Sequence, residues 1–154
     1  LGDVYKRQGN TDSRRRQIAN LKGNTVMEFK KEKVYTPLVA TPTHNVSQAI
    51  KYGNLVFVSG MVGEDENEVL MDGLEAQCER AFLNMKNVLE SAGSSLEKVL
   101  FCQIFIGKRE DRAIANKVWD RYFLNMDVAP ARYTVVAPTV AEPYLFEITC
   151  VAGV

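Results

Sequence analysis

The sequence predicts an α+β domain in which a single mixed sheet carries two helices on one face. Two long segments repeat apolar residues at intervals of three and four, which is the helical period. Several shorter runs are rich in β-branched and aromatic residues, which is typical of strands. No repeat or change of composition divides the residues from position 27 onward, so they predict one domain.

The first strands flank a proline-containing loop. Residues 27–35 include aromatic and β-branched side chains and predict an exposed or edge strand. Two prolines then break the chain into a loop. Residues 54–61, with the run LVFVSG, predict a buried strand that ends at Gly60. The acidic residues 64–68 predict a solvated loop after it.

A first helix follows this loop. Asp72 is placed to cap it, and the apolar period continues to about Ala92. Gly93 provides a C-terminal stop. The residues that form its apolar stripe are Leu74, Cys78, Ala81, Phe82, Met85, Val88 and Leu89.

The second half predicts a strand, a helix and two further strands. We expect the strand at residues 97–106, the helix at 111–126, and the last strands at 132–137 and 144–151. The residues expected on the apolar face of that helix are Ile114, Val118, Tyr122 or Phe123, and Met126. The predicted order is β-β-β-α-β-α-β-β. Because the strand runs are apolar on both sides, the sheet face without helices predicts homo-oligomerisation.

The charge is unevenly distributed. The chain of 154 residues has 19 basic and 19 acidic residues, yet residues 1–26 carry six basic against two acidic ones. That segment has no sustained period and opens with LGDVYKRQ, which resembles translated sequencing-adaptor remnants. We expect residues 1–26 to be a disordered, non-native extension, with the domain at residues 27–154. A nucleic-acid-binding arm at Arg14–Arg16 is the alternative.

Composition excludes several classes of protein. There is one histidine, His44, and there are three cysteines without CxxC spacing, so we expect no metal site and no disulfide framework. The sequence has no phosphate-binding loop and no dinucleotide fingerprint. No apolar run approaches the ~20 residues of a membrane helix. These observations favour a cytoplasmic protein, with a mitochondrial location as the alternative, and no membrane partner.

Two charged residues stand in apolar strand surroundings. Arg132 follows Pro-Ala at the start of a strand, and its side chain either pairs with an acid or presents a guanidinium to a carboxylate. Glu147 lies between Phe146 and Ile148 and is either a structural ion-pair partner or a base. Ser59 and Gly60 end a strand and either leave backbone groups open to a ligand or form a plain turn.

The motifs together resemble one family. In order and spacing they are VSQA, LVFVSG, ESAGSSLEKV, FIG, Asn116 before VWDRYF, APAR and FEI. This arrangement resembles the Rid family, the reactive intermediate deaminases also called YjgF-type proteins. The resemblance covers residues 34–152.

The resemblance implies a fold and an activity. The fold would be chorismate-mutase-like, a trimeric barrel with sites in the clefts between subunits. The activity would be hydrolysis of enamines and imines, such as 2-aminoacrylate and 2-iminopropionate, to 2-oxo acids and ammonia without a cofactor or metal. Arg132 matches the residue that binds the substrate carboxylate, and Glu147 matches the one that positions water. Ser59 and Gly60 match pocket residues, and we expect Asn116 to be structural.

Two positions depart from the family pattern. Val46 stands where many deaminating members have tyrosine, and Thr134 stands where many have cysteine. Val46 has no side-chain donor, so the site either orients its substrate differently or binds a small carboxylate without turnover, in a non-catalytic or chaperone-like role. The family has also carried ribonuclease labels, but residues 27–154 have 13 basic and 17 acidic residues. That balance predicts no nucleic-acid partner.

Overall fold

A computed structural model describes residues 28–139 and 141–154. The prediction of a disordered, non-native extension at residues 1–26 therefore lies outside the described residues and stays a prediction. Residues 31–154 form one compact unit. Its elements in order are β1 (Lys31–Val34), β2 (Ala49–Tyr52), β3 (Leu55–Val62), α1 (Leu74–Ser91), β4 (Val99–Ile106), α2 (Arg112–Phe123), β5 (Ala131–Val136) and β6 (Phe146–Gly153).

The strands form one six-stranded mixed sheet in the order β1-β2-β3-β6-β4-β5. All neighbours are antiparallel except β4 and β5, which are parallel and are joined through α2. A helix is the usual connection between parallel neighbours, whereas β1, β2 and β3 form an antiparallel run with short connections. The predicted α+β class, the mixed sheet and the element order are confirmed.

The core lies between the helices and one face of the sheet. Phe82 of α1 stacks on Tyr122 of α2 with 4.7 Å between ring centroids, and it contacts Phe146 of β6 at 5.9 Å. On β6 the residues alternate between buried and half-buried, as expected for a strand with one face on the core. The apolar stripe predicted for the first helix is buried, apart from the half-buried Leu74.

Several predicted details were wrong. Asp72 makes no cap, because the helix begins after Gly73, which has no side chain to accept a bond. On α2, Val118 and Phe123 are buried as predicted, but Ile114 is 38% exposed, and Ala115 and Trp119 are buried in addition. The helix starts at Arg112 and ends at Phe123, so Met126 lies beyond its end.

Gly93 ends α1 as predicted. It has a φ of 77°, and its N–H donates to the carbonyl of Glu90 while the N–H of Ser94 donates to that of Leu89. This pair of bonds is the Schellman motif, which satisfies helix carbonyls that lack partners. A side chain at Gly93 would be strained at this backbone angle.

The second face of the sheet carries no helix and exposes apolar side chains. Phe57 is 45% exposed and Tyr133 is 47% exposed, on strands at opposite sides of the sheet centre. Apolar patches of this kind mark interaction surfaces. The expectation that strand residues are apolar on both faces is confirmed, and homo-oligomerisation stays a prediction. No helix among the described residues is long and apolar enough to cross a membrane.

Candidate active site

Arg132 is held at the start of β5 by contacts with α2. Its guanidinium carbon lies 4.5 Å from the ring centroid of Trp119, and Nη2 donates to Oδ1 of Asn116 at 2.9 Å. Nη1 is buried and has no hydrogen-bond partner among residues 28–139 and 141–154. A buried donor without a partner is costly, so this nitrogen is a site for an acceptor from outside the chain.

The cavity beside Arg132 is basic. Its volume is about 590 Å³, and its lining includes Arg109, Arg112, Tyr133 and Thr134. Burial lowers the pKa of Arg132, and the nearby charge of Arg112 lowers it further. An arginine nevertheless stays protonated in a folded protein. The predicted site residues Arg132 and Thr134 thus share a cavity suited to an anion.

Glu147 lies on β6 against the backbone of β3. A Cβ atom built on Gly60 would collide with Oε1 of Glu147, so the carboxyl group keeps this position only while residue 60 is glycine. Burial raises the pKa of Glu147. Among the described residues no cation forms an ion pair with it, so the alternative of a structural salt bridge is not observed there. A half-buried carboxyl group of raised pKa is suited to proton transfer.

Ser59 and Gly60 interrupt the pairing of β3 with β6, where the register shifts between Val58 and Met61. The hydroxyl of Ser59 donates to the carbonyl of Ser47 at 2.7 Å, which fixes this side chain structurally. A cavity of about 360 Å³ opens here, and its lining includes Val46, His44, Ser59, Gly60 and Tyr144. Val46 is 51% exposed and contributes no side-chain donor.

Gln48 shapes this cavity and was missed by sequence reasoning. It is 1% exposed; its Oε1 accepts from the N–H of Thr36, and its Nε2 donates to the carbonyls of Thr36, Val39 and Ala40. These bonds hold the loop before β2 against the sheet. The signal was present in the VSQA motif, but a glutamine in a polar loop gives no indication of burial.

Trp119 was also missed as a site residue. It lies on the core-facing stripe of α2, where an aromatic residue is expected for packing alone. Its second contact is with the guanidinium of Arg132, an arrangement that favours a cation over the ring face. Asn116 and Trp119 together orient Arg132, so the expected structural role of Asn116 agrees with its bond to that side chain.

Arg132 and Glu147 project from opposite faces of the sheet. Arg132 pairs with Cys102 of β4, and Glu147 pairs with Phe105 of the same strand. Positions three apart on a strand face opposite sides, and paired residues share a face. One chain therefore places Arg132 and Thr134 on one face of the sheet, and Glu147 beside Gly60 on the other.

The cysteines do not supply a nucleophile. Cys78, Cys102 and Cys150 are buried free thiols. Burial raises the pKa of Cys78 and of Cys102 to about 12, and it also raises that of Cys150. A thiol must ionise to act as a nucleophile, so these side chains are packing groups.

Comparison with known proteins places the chain in a family. The sequence model of the family described as endoribonuclease L-PSP matches residues 38–154. A 2-iminobutanoate/2-iminopropanoate deaminase of Dermatophagoides farinae is 35% identical over 104 residues, which cover 66% of this chain and 80% of that protein. A 3-aminoacrylate deaminase RutC of Acinetobacter baylyi is 37% identical over 108 residues, which cover 69% and 84%.

A solved structure has the same fold. The RidA protein from the Antarctic bacterium Psychrobacter sp. superposes with a TM-score of 0.75 at 29% identity, over 80% of this chain and 99% of that one. Relatives named as imine and aminoacrylate deaminases thus share the sequence pattern of this domain, and a RidA protein shares its fold. The resemblance to the Rid family is confirmed, and the chain belongs to the endoribonuclease L-PSP family, which includes RutC and Rid proteins.

Proposed function

We propose that the protein hydrolyses enamine and imine intermediates of the 2-aminoacrylate and 2-iminopropionate type to 2-oxo acids and ammonia. The observation that carries this proposal is the buried Nη1 of Arg132, which has no partner among the described residues and lines a basic cavity. A substrate carboxylate would accept a hydrogen bond from this nitrogen. The contacts with Asn116 and Trp119 hold the guanidinium in place before the substrate binds.

The reaction needs water and one proton acceptor. Glu147 takes a proton from water as the oxygen attacks the C=N carbon, and a carbinolamine forms. Glu147 returns the proton to the amino group and the C–N bond breaks; Glu147 takes the hydroxyl proton as the carbonyl forms and passes it to the departing ammonia, so the products are a 2-oxo acid and ammonium. The protonated imine is already an electrophile, so the enzyme needs only to position the reactants and stabilise the developing charges to accelerate hydrolysis. We propose no cofactor or metal for this reaction.

A complete site would combine two subunits. Since Arg132 and Glu147 face opposite sides of one sheet, both can reach one substrate only if they come from different copies. The helix-free face, with Phe57 and Tyr133 exposed, offers the surface on which copies would pack. We propose a homotrimer with sites between neighbours, in the cytoplasm or in mitochondria, and no nucleic-acid or membrane partner.

A second candidate is a non-catalytic protein that binds small carboxylates. The observation in its favour is Val46, which lines the cavity beside Ser59 and Gly60 without a side-chain donor. Such a protein would gain thermal stability from 2-oxobutyrate by mass action, while imine turnover stayed at the spontaneous rate.

Turnover of freshly generated 2-aminoacrylate tests the proposed function. A pyridoxal-phosphate dehydratase would produce it from serine, and pyruvate release would be followed with and without this protein. We expect Arg132→Ala to lower kcat/KM by at least about 30-fold, because a charged hydrogen-bond partner of the carboxylate is lost. Lys108→Gln is the control, since Lys108 is exposed and outside the cavity lining. Wild-type turnover equal to that of Arg132→Ala would refute the proposed function.

A further inference from the structure

The cavity beside Arg132 contains more positive charge than one carboxylate needs. Arg109, Arg112 and Arg132 all line it, and no acidic residue does. Arg109 lies in a short 3₁₀ turn, Arg109–Asp111, and Arg112 is the first residue of α2. Three arginines therefore line one space of about 590 Å³.

These arginines differ from others in the chain. Arg80 and Arg121 each form ion pairs with glutamates of neighbouring elements. Within residues 28–139 and 141–154, neither Arg109 nor Arg112 forms an ion pair or a side-chain hydrogen bond, and the charge of Arg112 lowers the pKa of Arg132. The chain thus concentrates like charges here, and the charge of Asp120, which acts on Arg132, compensates them only in part, which favours an anionic ligand.

The positions of the charges suggest two anionic groups on that ligand. Arg132 offers one buried nitrogen beside Trp119, enough to anchor one carboxylate. Arg109 and Arg112 are exposed and lie on other elements, at the start of α2. A monocarboxylate held at Arg132 leaves Arg109 and Arg112 without an anionic partner, whereas a dicarboxylate has a second carboxylate to offer them.

We propose that the preferred substrates are imines of 2-oxo dicarboxylic acids, with the carboxylate next to the C=N group on Arg132 and the terminal carboxylate on Arg109 and Arg112. This inference rests on the proposed function, because it takes Arg132 as the anchor for the carboxylate beside the reacting carbon. It adds two specificity-determining residues, which bind the end of the substrate remote from the reaction.

Binding of stable 2-oxo acids to the full-length chain tests the inference apart from turnover. Calorimetry would compare 2-oxoglutarate with 2-oxobutyrate. We expect 2-oxoglutarate to bind about three- to tenfold more tightly, as one additional solvent-accessible ion pair allows. The variant R109Q/R112Q should lose this preference, while Arg112→Lys should retain part of it. Lys108→Gln removes one positive charge next to Arg109, outside the cavity lining, and should keep the preference.

Turnover provides the second readout. Imines would be generated from glutamate and from alanine by an amino-acid oxidase with catalase present. We expect R109Q/R112Q to raise KM for the glutamate-derived imine more than it changes kcat, because the terminal carboxylate is remote from the reacting carbon.

The outcomes separate this inference from the proposed function. Equal affinity for the two 2-oxo acids, or a preference that R109Q/R112Q leaves intact, would overturn the dicarboxylate assignment even if the alanine-derived imine is hydrolysed. A preference that depends on Arg109 and Arg112, without turnover of either imine, would leave a dicarboxylate-binding site but overturn the assignment of imines as its substrates, together with the deaminase. An oligoribonucleotide that binds through these arginines, with no dicarboxylate preference, would overturn the inference in favour of a nucleic-acid site.

Discussion

Glu147, the proton acceptor of the proposed reaction, carries a pH-dependent cost of folding. Burial raises the pKa of its carboxyl group, so the folded protein binds this proton more tightly than the unfolded chain does. The resulting stability is fully present below the unfolded pKa, and it is lost as pH rises through the folded pKa. At neutral pH the ionised group therefore costs folding free energy, which is compatible with a side chain retained for catalysis.

The first prediction concerns Glu147→Gln, which mimics the protonated carboxyl group. We expect the variant to gain thermal stability relative to wild type as pH rises from about 4 to about 7, because only the wild type then buries a charge. The measurement is Tm by calorimetry across that range, with Glu110→Gln as an exposed control. A Tm difference that does not change with pH would show that burial does not act on this carboxyl group.

The second prediction concerns Gly60→Ala. The new methyl group would collide with the carboxyl group of Glu147, since the Cβ position lies 1.8 Å from Oε1. We expect turnover to fall at least about tenfold, because the carboxyl group must move, and stability to fall by less than about 1 kcal/mol, because the end of a flexible side chain can shift. Gly107→Ala is the matched control, because nothing lies within 4 Å of its Cβ position.

Urea denaturation and imine turnover would be measured on both glycine variants. Gly107→Ala should retain stability and activity. If Gly60→Ala behaved like Gly107→Ala, the carboxyl group of Glu147 would not lie where the structure places it.

Among the elements, the loop between β1 and β2 depends most on one side chain. Gln48 uses both ends of its amide to hold this loop, and its own carbonyl accepts from the N–H of Ser59 at 3.0 Å. The loop carries Val46 and His44 into the cavity that also contains Gly60. Gln48 therefore links the fold of the loop to the position of the site.

The third prediction follows from these bonds. Gln48→Ala should destabilise the protein by about 2–4 kcal/mol, because it leaves several buried backbone groups without partners. Gln48→Glu is nearly the same size, but its oxygens would face the carbonyls of Thr36, Val39 and Ala40. We expect it to destabilise at least as much, as measured by urea denaturation. A Gln48→Glu variant as stable as wild type would contradict this role.

The helical period and the β-branched runs were sufficient to predict both helices and most strands. Strand β2 was counted in the element order without being located, because AIKY is too short and too polar to indicate a strand. The start of α1 was misplaced because a good capping residue, Asp72, precedes the glycine that adopts the cap geometry. The burial of Trp119 on α2 was not predicted, because it is a consequence of packing on Phe82 of the other helix.

At the scale of the whole molecule, the strand order determines how the site is assembled. The sequence indicated Arg132 and Glu147 as candidate site residues, because charged side chains are unusual in apolar strands. It did not show that they face opposite sides, because that depends on β6 lying between β3 and β4 and on the register of each pair. Long-range pairing of this kind is not encoded in a local pattern.

The last prediction follows from this geometry and concerns mixed assemblies. Arg132→Ala and Glu147→Gln should each abolish turnover alone. In a mixed trimer, however, a cleft can receive Arg132 from one subunit and Glu147 from its neighbour. Random mixing of equal amounts would restore about one quarter of the wild-type sites.

Subunit mixing is the most direct test of the two-subunit site. The two variants would be unfolded and refolded together, light scattering would check for a mass three times that of the 17.3 kDa chain, and 2-aminoacrylate turnover would be measured. A site built from two subunits predicts a trimer with about one quarter of wild-type activity, from parents that are each inactive. A monomeric protein, or mixed trimers no more active than their parents, would contradict it.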